Sequence, residues 1–234
     1  MGQHTRTVMI TGAAGNLGRC VAASFHASGA NLVLVDLQRE SLEKAFGAVG
    51  ERRLFAPVNL LEQEQVNGAA RAAIERFGRI DVLCNLAGGF QMGETVHETA
   101  DRTWNFLFDI NARTLLHAVR AVVPGMIERG GGKIVNVGAF SAQQGLGRMG
   151  AYCAAKGAVI RLTEAMAAEL RERNINVNCV LPGVIDTPEN RVAMPDADPS
   201  RWVAPDDLAS AIVFLASDGA RAIHGAALPV TGLN

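Results

Sequence analysis

The chain has 234 residues, of which 49% are hydrophobic and 19% are charged, and its net charge at pH 7 is −1. This length fits one large α/β domain with a substantial core. The balanced charge, with no block of Lys or Arg, excludes nucleic acid or an anionic membrane surface as the main partner, because both require a basic footprint.

Short apolar segments alternate with helix-length segments of 3.6-residue periodicity along the whole chain. The predicted strands are 7–10, 31–36, 53–58, 80–85, 133–138, 175–183 and 226–232. The predicted helices are about 17–28, 38–48, 62–77, 101–128, 151–172 and 206–217. Continuous apolar strands are typical of a parallel sheet that is buried on both faces. The pattern predicts one domain over 1–234, a Rossmann-type doubly wound α/β fold with a seven-stranded parallel sheet and helices on both faces.

The cysteines and the start of the sequence indicate the cellular compartment. The four cysteines have no CxxC motif and no paired spacing: Cys20, Cys84, Cys153 and Cys179. We therefore expect reduced thiols in a cytoplasmic protein, not disulfides or a metal site. A strand is predicted almost at once, which leaves no room for a signal peptide, and no apolar run reaches the ~18 residues of a membrane span.

The segment VMITGAAGNLG passes from a strand through a glycine-rich turn into a helix. Gly12 permits the tight turn, and Gly18 lets the helix lie close to the strand. The helix N-terminus, at Asn16 and Leu17, then offers free N–H groups to a pyrophosphate. Asn tolerates positive φ better than other non-glycine residues, so Asn16 is expected to be compatible with the turn.

Asp36 ends the second predicted strand. A carboxylate at this place accepts hydrogen bonds from adenosine ribose hydroxyls and repels a 2′-phosphate, so NAD is favoured over NADP. The alternative is that Asp36 caps the next helix.

Tyr152 and Lys156 lie four residues apart in a predicted helix, so both side chains share one face. Tyr152 is the single Tyr of the chain. A nearby cation lowers the pKa of a phenol from about 10, which lets it exchange a proton with an alkoxide. The pair is therefore predicted to perform acid/base catalysis. The alternative is a core aromatic residue followed by a solvated lysine.

Taken in order, the glycine turn, Asp36, NLAG (85–88), the Tyr152–Lys156 pair and PGVIDT (182–187) resemble the short-chain dehydrogenase/reductase family. The resemblance covers essentially the whole chain. It is strongest to compact members such as 3-oxoacyl-carrier-protein reductases and small alcohol or hydroxysteroid dehydrogenases. It implies an NAD(P)-dependent exchange of hydride between a small secondary alcohol and a ketone, and assembly into homodimers or homotetramers.

The resemblance also implies which residues form the site. Asn111 matches the helix Asn that holds a water behind the Lys, Thr187 bonds the nicotinamide carboxamide, and Lys156 bonds the nicotinamide ribose. The expected cofactor-binding residues are Gly12, Asn16, Leu17, Gly18, Asp36, Asn59, Leu60, Asn85, Ala87, Gly88, Tyr152, Lys156, Pro182, Gly183, Ile185 and Thr187. Asn16 stands in place of this branch's middle glycine, and Leu86 in place of its second Asn.

The family's substrate-polarising Ser is missing. Ala139 stands at its position, 13 residues before Tyr152, and Ser141 follows two residues later. In an extended chain Ser141 is displaced by ~6.5 Å and cannot reach the same oxygen. If the chain turns after Gly138 or Ala139, Ser141 becomes a replacement, so we keep it as a provisional catalytic residue. Gln143 and Gln144 are further possible donors.

Two functions follow from this pattern. The first is an NAD(P)-dependent oxidoreductase, slow or altered because Ala139 donates no hydrogen bond. The second is a non-catalytic dinucleotide-binding sensor or structural subunit. The predicted pocket wall is mostly apolar and favours a largely apolar carbonyl compound: Phe90, Ala139, Phe140, Val184 and Met194.

The segment 187–205 is the least regular stretch, with four prolines and mixed charge. It follows the C-terminal end of a strand, where such folds bind ligands, so we predict that it acts as a lid. The alternative is an ordinary surface connection.

Overall fold

Seven parallel strands form one sheet in the computed structural model, which describes residues 5–233. The strands are β1 Thr7–Thr11, β2 Asn31–Asp36, β3 Arg53–Pro57, β4 Val82–Asn85, β5 Gly132–Val137, β6 Ile175–Pro182 and β7 Ala227–Val230. Their order is β3-β2-β1-β4-β5-β6-β7. This order confirms the predicted Rossmann-type sheet and places the topological switch point between β1 and β4.

Eight α-helices lie within the described residues: α1 Asn16–Ala27, α2 Arg39–Phe46, α3 Gln63–Phe77, α4 Asp101–Phe108, α5 Thr114–Glu128, α6 Gly150–Leu170, α7 Pro188–Ala193 and α8 Pro205–Leu215. The predicted helix 101–128 is divided by a π-helical turn, Asp109–Arg113. Helix α7 lies in the segment predicted as a lid, where no helix was predicted. None of the helices between residues 5 and 233 is both long enough and apolar enough to cross a bilayer.

Both faces of the sheet are covered by helices, as the continuous apolar strands predicted. Successive residues of a strand point to opposite faces. Met9 therefore packs in a cluster with α3, α5 and α6, whereas Ile10 packs in a second cluster with α1 and α8. All eight residues of β6 are buried.

A chain of buried amides connects the centre of the sheet to α6. The Asn85 amide donates to Asn136 Oδ1 (2.9 Å), and the Asn136 amide donates to Thr163 Oγ1 (2.8 Å). Asn85 and Asn136 are register partners on β4 and β5, and Thr163 lies on α6. Buried polar groups that satisfy one another fix a unique packing, so this chain sets the position of α6 relative to the strand ends.

Candidate active site

The C-terminal ends of the central strands meet at one edge of the sheet, next to the glycine-rich turn. Thr11, the last residue of β1, accepts hydrogen bonds at Oγ1 from the backbone N–H groups of Leu86 (3.1 Å) and Ala87 (3.2 Å). Thr11 therefore fixes the 85–88 segment against the turn. Sequence reasoning gave Thr11 no role, although its place before Gly12 was a usable signal.

The glycine-rich turn is tightly packed where it leads into α1. Gly12 has φ +65°, and a Cβ on Gly18 would lie 2.3 Å from the Gly12 carbonyl oxygen, so neither position accepts a side chain. Helix α1 begins at Asn16 with no side-chain cap and no acidic residue in its first turn. Its N-terminal N–H groups and positive dipole end are thus open to an anion.

Asn16 does not adopt the positive φ that the sequence allowed for. Within residues 5–233, Arg148 and Asn174 are the non-glycine residues with positive φ. Asn16 is instead the first residue of α1, and its side chain serves a contact outside the turn. Its amide donates to Glu189 Oε2 on α7 at 2.8 Å.

Asp36 faces the turn at the end of β2. Its Oδ2 accepts from the Ala14 N–H at 2.9 Å, and its Oδ1 accepts from the Leu37 N–H at 2.8 Å. Helix α2 has Gln38 at its N-cap, with no side-chain cap bond. Asp36 therefore does not cap α2, which removes the alternative reading of this residue.

Asn59 and Leu60 lie beyond β3, and both have local partners. The Asn59 Oδ1 accepts from the Leu61 N–H at 3.0 Å, which closes an Asx turn. The Leu60 side chain packs in the hydrophobic core with α3 and α5. The Leu60 carbonyl lies within hydrogen-bond distance of His117 Nδ1 (2.9 Å), so neither its side chain nor its carbonyl is free.

Asn111 lies on the π-helical turn between α4 and α5. Its amide donates to the carbonyls of Gly89 (3.0 Å) and Leu107 (2.9 Å), and its Oδ1 accepts from the Gly89 N–H (3.1 Å). A Cβ on Gly88 would lie 2.8 Å from Asn111 Oδ1 and 3.1 Å from Lys156 Nζ. The structure thus brings Asn111, Gly88 and Lys156 together, and Gly88 must lack a side chain.

Lys156 is buried on α6, and its Nζ donates to the Val137 carbonyl at 2.9 Å. Burial lowers the pKa of Lys156 to about 8, although the nearby Cys179 acts in the opposite direction. The alternative of a solvated helix lysine is therefore wrong. Below pH 8 the side chain keeps its positive charge at the end of β5.

Tyr152 lies one helical turn before Lys156, with its ring against Phe90. The two ring centroids are 4.8 Å apart at an interplanar angle of 85°, an edge-to-face contact. Burial, with a smaller contribution from Cys153, raises the pKa of Tyr152 to about 12. The net shift is opposite to the predicted one, because loss of water around the phenol outweighs any stabilisation of the phenolate by Lys156.

The chain turns immediately after Ala139. Ala139 is buried and extended, and a 3₁₀ turn, Phe140–Gln143, follows, closed by a 3.1 Å bond from the Ala142 N–H to the Ala139 carbonyl. The extended alternative for Ser141 is therefore excluded. The Ser141 carbonyl accepts from Cys153 Sγ at 3.3 Å, so the backbone of Ser141 lies against α6 one residue after Tyr152.

The segment after β6 returns to the glycine turn. Thr187 caps α7 by accepting at Oγ1 from the Asn190 N–H at 3.2 Å. Gly183 N–H donates to the Val230 carbonyl at 3.1 Å, and Ile185 pairs with Val203 in an isolated bridge. Together with the Asn16–Glu189 contact, these bonds hold the start of the 187–205 segment beside the turn.

Sequence reasoning missed one charged residue next to Tyr152. A cleft runs from Tyr152 to Arg148 and Met149 before α6, and its opposite wall includes Gln91 and Glu94. Arg148 has a positive φ of +62°, which no sequence pattern predicted.

The family model for short chain dehydrogenases matches residues 6–197. A D-threitol dehydrogenase of Mycolicibacterium smegmatis is 33% identical, with 97% of this chain and 92% of the relative covered. A carveol dehydrogenase of Mycobacterium avium, solved in complex with NAD, is 29% identical with a TM-score of 0.90, covering 98% of this chain and 97% of the other. ElxO with NADP bound is 25% identical with a TM-score of 0.90, covering 97% and 98%.

The matched region contains the glycine turn, the 85–88 segment and the Tyr152–Lys156 pair whose geometry is described above. The Mycolicibacterium relative is named a dehydrogenase, and the two solved structures hold NAD and NADP. This protein belongs to the short-chain dehydrogenase/reductase family of oxidoreductases.

Proposed function

We propose that the protein interconverts a secondary alcohol and a ketone, with Tyr152 as the acid/base and NAD as the cofactor. The observation that supports this most directly is the convergence of Lys156 Nζ and Asn111 Oδ1 on Gly88, one helical turn from Tyr152. Burial disfavours the charge of Lys156, so its hydrogen bond to Val137 comes at an energetic cost that a catalytic role would explain.

The cofactor, when bound, supplies or accepts the hydride. The turn at Gly12, Asn16, Leu17 and Gly18 would hold its pyrophosphate, and Asp36 its adenosine ribose. The charge of Asp36 favours NAD, since a 2′-phosphate would meet a carboxylate. Further contacts are proposed from Asn59, Leu60, Asn85, Ala87, Gly88, Pro182, Gly183, Ile185 and Thr187.

In the reductive direction, hydride from the cofactor adds to the carbonyl carbon, and Tyr152 donates its hydroxyl proton to the carbonyl oxygen. The product is an alcohol that contains both hydrogens. The raised pKa of Tyr152 keeps this proton in place at neutral pH. Lys156, still cationic below its pKa of about 8, stabilises the phenolate that remains. Asn111 holds the loop that faces Lys156 and would orient the water that returns the proton.

Ala139 leaves the substrate oxygen with one hydrogen-bond donor fewer than is usual in this family. Loss of such a donor typically lowers the rate about 10²- to 10³-fold. We therefore propose a slow enzyme, or one in which Ser141 acts instead. Ala139 is also the observation that favours the second candidate, a non-catalytic dinucleotide-binding protein.

A homotetramer or homodimer in the cytoplasm is part of the proposal. Trp104 and Phe106 on α4 are 45% and 47% exposed, and Trp104 stacks on Phe108 at 4.5 Å. Exposed aromatic residues of this kind are typical of a protein interface. Light scattering that returned a monomer would contradict this part of the proposal.

The test is NADH oxidation with a panel of ketones, for wild type and Tyr152→Phe. Phe keeps the ring contact with Phe90 and removes only the hydroxyl. We expect activity to fall by about 10²- to 10⁴-fold, the usual contribution of acid/base catalysis, with NADH affinity unchanged. Equal traces at background for both proteins, together with NADH binding, would favour the non-catalytic candidate.

A further inference from the structure

Arg148 lies in the same cleft as the proposed acid/base and has no ion-pair partner among the described residues. It shares a cleft with Tyr152, and its side chain is exposed. Within residues 5–233, no carboxylate forms an ion pair with its guanidinium and no carbonyl accepts a bond from it. Arg191 in the 187–205 segment, by contrast, is neutralised by Asp186.

The carboxylate that shares this cleft is already engaged elsewhere. Glu94 Oε1 accepts from the Thr103 hydroxyl and its Oε2 accepts from the Ala100 N–H, both at 3.2 Å. These bonds tie Glu94 to the first turn of α4. Among the described residues that line the cleft, Arg148 is therefore the charged side chain that no protein group pairs with.

The backbone of Arg148 is held in a conformation that a side chain disfavours. Its φ is +62°, a value that favours glycine. The neighbouring loop positions 145, 147 and 150 are glycines, but position 148 is not. The Arg148 carbonyl accepts from the Gly93 N–H at 2.9 Å, which ties this loop to the one that carries Phe90. A non-glycine residue in this conformation beside a cleft is the kind of outlier from which a functional hypothesis for the side chain is drawn.

We propose that Arg148 binds an oxyanion group of the substrate, so that the enzyme acts on acidic hydroxy and oxo compounds. This proposal rests on the proposed function and names its substrate class. The reacting carbonyl lies at Tyr152, an apolar carbon chain lies against Met92 on the cleft wall, and the carboxylate, sulfonate or phosphate at the far end pairs with Arg148. A planar guanidinium suits such groups because it donates two parallel hydrogen bonds.

The experiment compares oxo acids with their neutral methyl esters as substrates, from 4-oxopentanoate to 7-oxooctanoate. We expect wild type to prefer the acid in kcat/KM. Arg148→Gln should lower the acid-over-ester ratio by about tenfold, the effect of losing one charge-assisted contact. Arg71→Gln, which removes an exposed cation on α3, is the matched control and should leave the ratio unchanged. An unchanged ratio in Arg148→Gln would overturn the proposal.

Two further measurements keep the result interpretable. Arg148→Gly should raise the melting temperature, because it relieves the positive φ, and still lose the acid preference; this separates selectivity from folding.

Binding of the same oxo acids to the NADH-loaded protein, measured by calorimetry, tests the site without turnover. If no compound is reduced but acids bind wild type at least tenfold better than Arg148→Gln, the proposed reaction fails and the oxyanion site stands. If no acid binds wild type, the oxyanion site is refuted. Competition by acetate, methanesulfonate and inorganic phosphate identifies which oxyanion is preferred.

Discussion

The ammonium group of Lys156 donates a 2.9 Å hydrogen bond to the carbonyl of Val137, the last residue of β5. The bond joins the helix that carries Tyr152 to the strand that leads to Ala139. It also places a charged group where water is largely excluded, and the resulting cost lowers the pKa of Lys156 to about 8.

This burial predicts how stability depends on pH. The unfolded lysine keeps its proton up to a pKa of about 10.4, whereas the folded one releases it near 8. Between these values the unfolded state binds more protons, so the free energy of unfolding rises with pH. Between pH 8 and 10, the free energy of unfolding of the wild type should therefore rise by about 1 kcal/mol per pH unit relative to that of Lys156→Met.

Urea unfolding of both proteins at a series of pH values measures this difference. The raised pKa of Tyr152 has the opposite effect above pH 10, but both proteins contain Tyr152, so its contribution cancels. Parallel stability curves from pH 7 to 10 would show that Lys156 is not desolvated as described.

Ala139 provides a gain-of-function prediction. Ala139→Ser adds the hydroxyl that the family places at this position, on a buried, extended residue. We expect kcat for ketone reduction to rise about tenfold or more, because a donor then faces the developing alkoxide. Ser141→Ala is the companion variant and should change kcat little, since the contact from Cys153 reaches the Ser141 backbone and survives. No gain in Ala139→Ser together with loss of activity in Ser141→Ala would identify Ser141 as the working donor.

Asp36 provides a prediction about cofactor choice. Asp36→Asn keeps an oxygen that can accept from the Ala14 N–H but removes the negative charge. We expect the kcat/KM ratio of NADH over NADPH to fall about tenfold, because the 2′-phosphate no longer meets a carboxylate. Fluorescence titration of both cofactors separates binding from turnover. Glu75→Gln, at an exposed position on α3, changes the net charge equally and should not alter the ratio. A ratio unchanged in Asp36→Asn would mean that Asp36 does not set the preference.

The sequence was sufficient for the sheet because each strand from β1 to β7 coincides with a short apolar run that is separated from the next by a helix-length segment. It also located Tyr152 and Lys156, since four-residue spacing places two side chains on one helix face. It did not predict the pKa direction of Tyr152, which depends on how much water Phe90 and α6 exclude. Such shifts arise from tertiary packing rather than from neighbours in sequence.

The π-helical turn at Asp109–Arg113 was not predicted, and the turn at Phe140–Gln143 was one of two alternatives that the sequence left open. Both are single-turn departures from regular geometry, and the packing that produces them is not local. The π-helical turn directs Asn111 toward Gly89, and the 3₁₀ turn rules out the extended path for Ser141. Sequence periodicity reports the repeated pattern of an element and carries no signal for one inserted or tightened turn.

The Asn16–Glu189 contact predicts that the 187–205 segment controls release of the cofactor. It joins the glycine turn to α7, whose N-cap is Thr187. The Glu189 pKa is held below its usual value first by its own backbone N–H and then by Thr187 and Asn16, so the carboxylate stays charged and accepting at neutral pH.

Asn16→Ala removes the bond without altering this charge, and we expect NADH to dissociate about two- to tenfold faster, as for loss of one exposed hydrogen bond. Glu189→Gln is the matched variant: its amide oxygen still accepts from Asn16, so release should not accelerate. Stopped-flow displacement of NADH measures both rates, and a wild-type rate in Asn16→Ala would mean that this contact does not hold the segment closed.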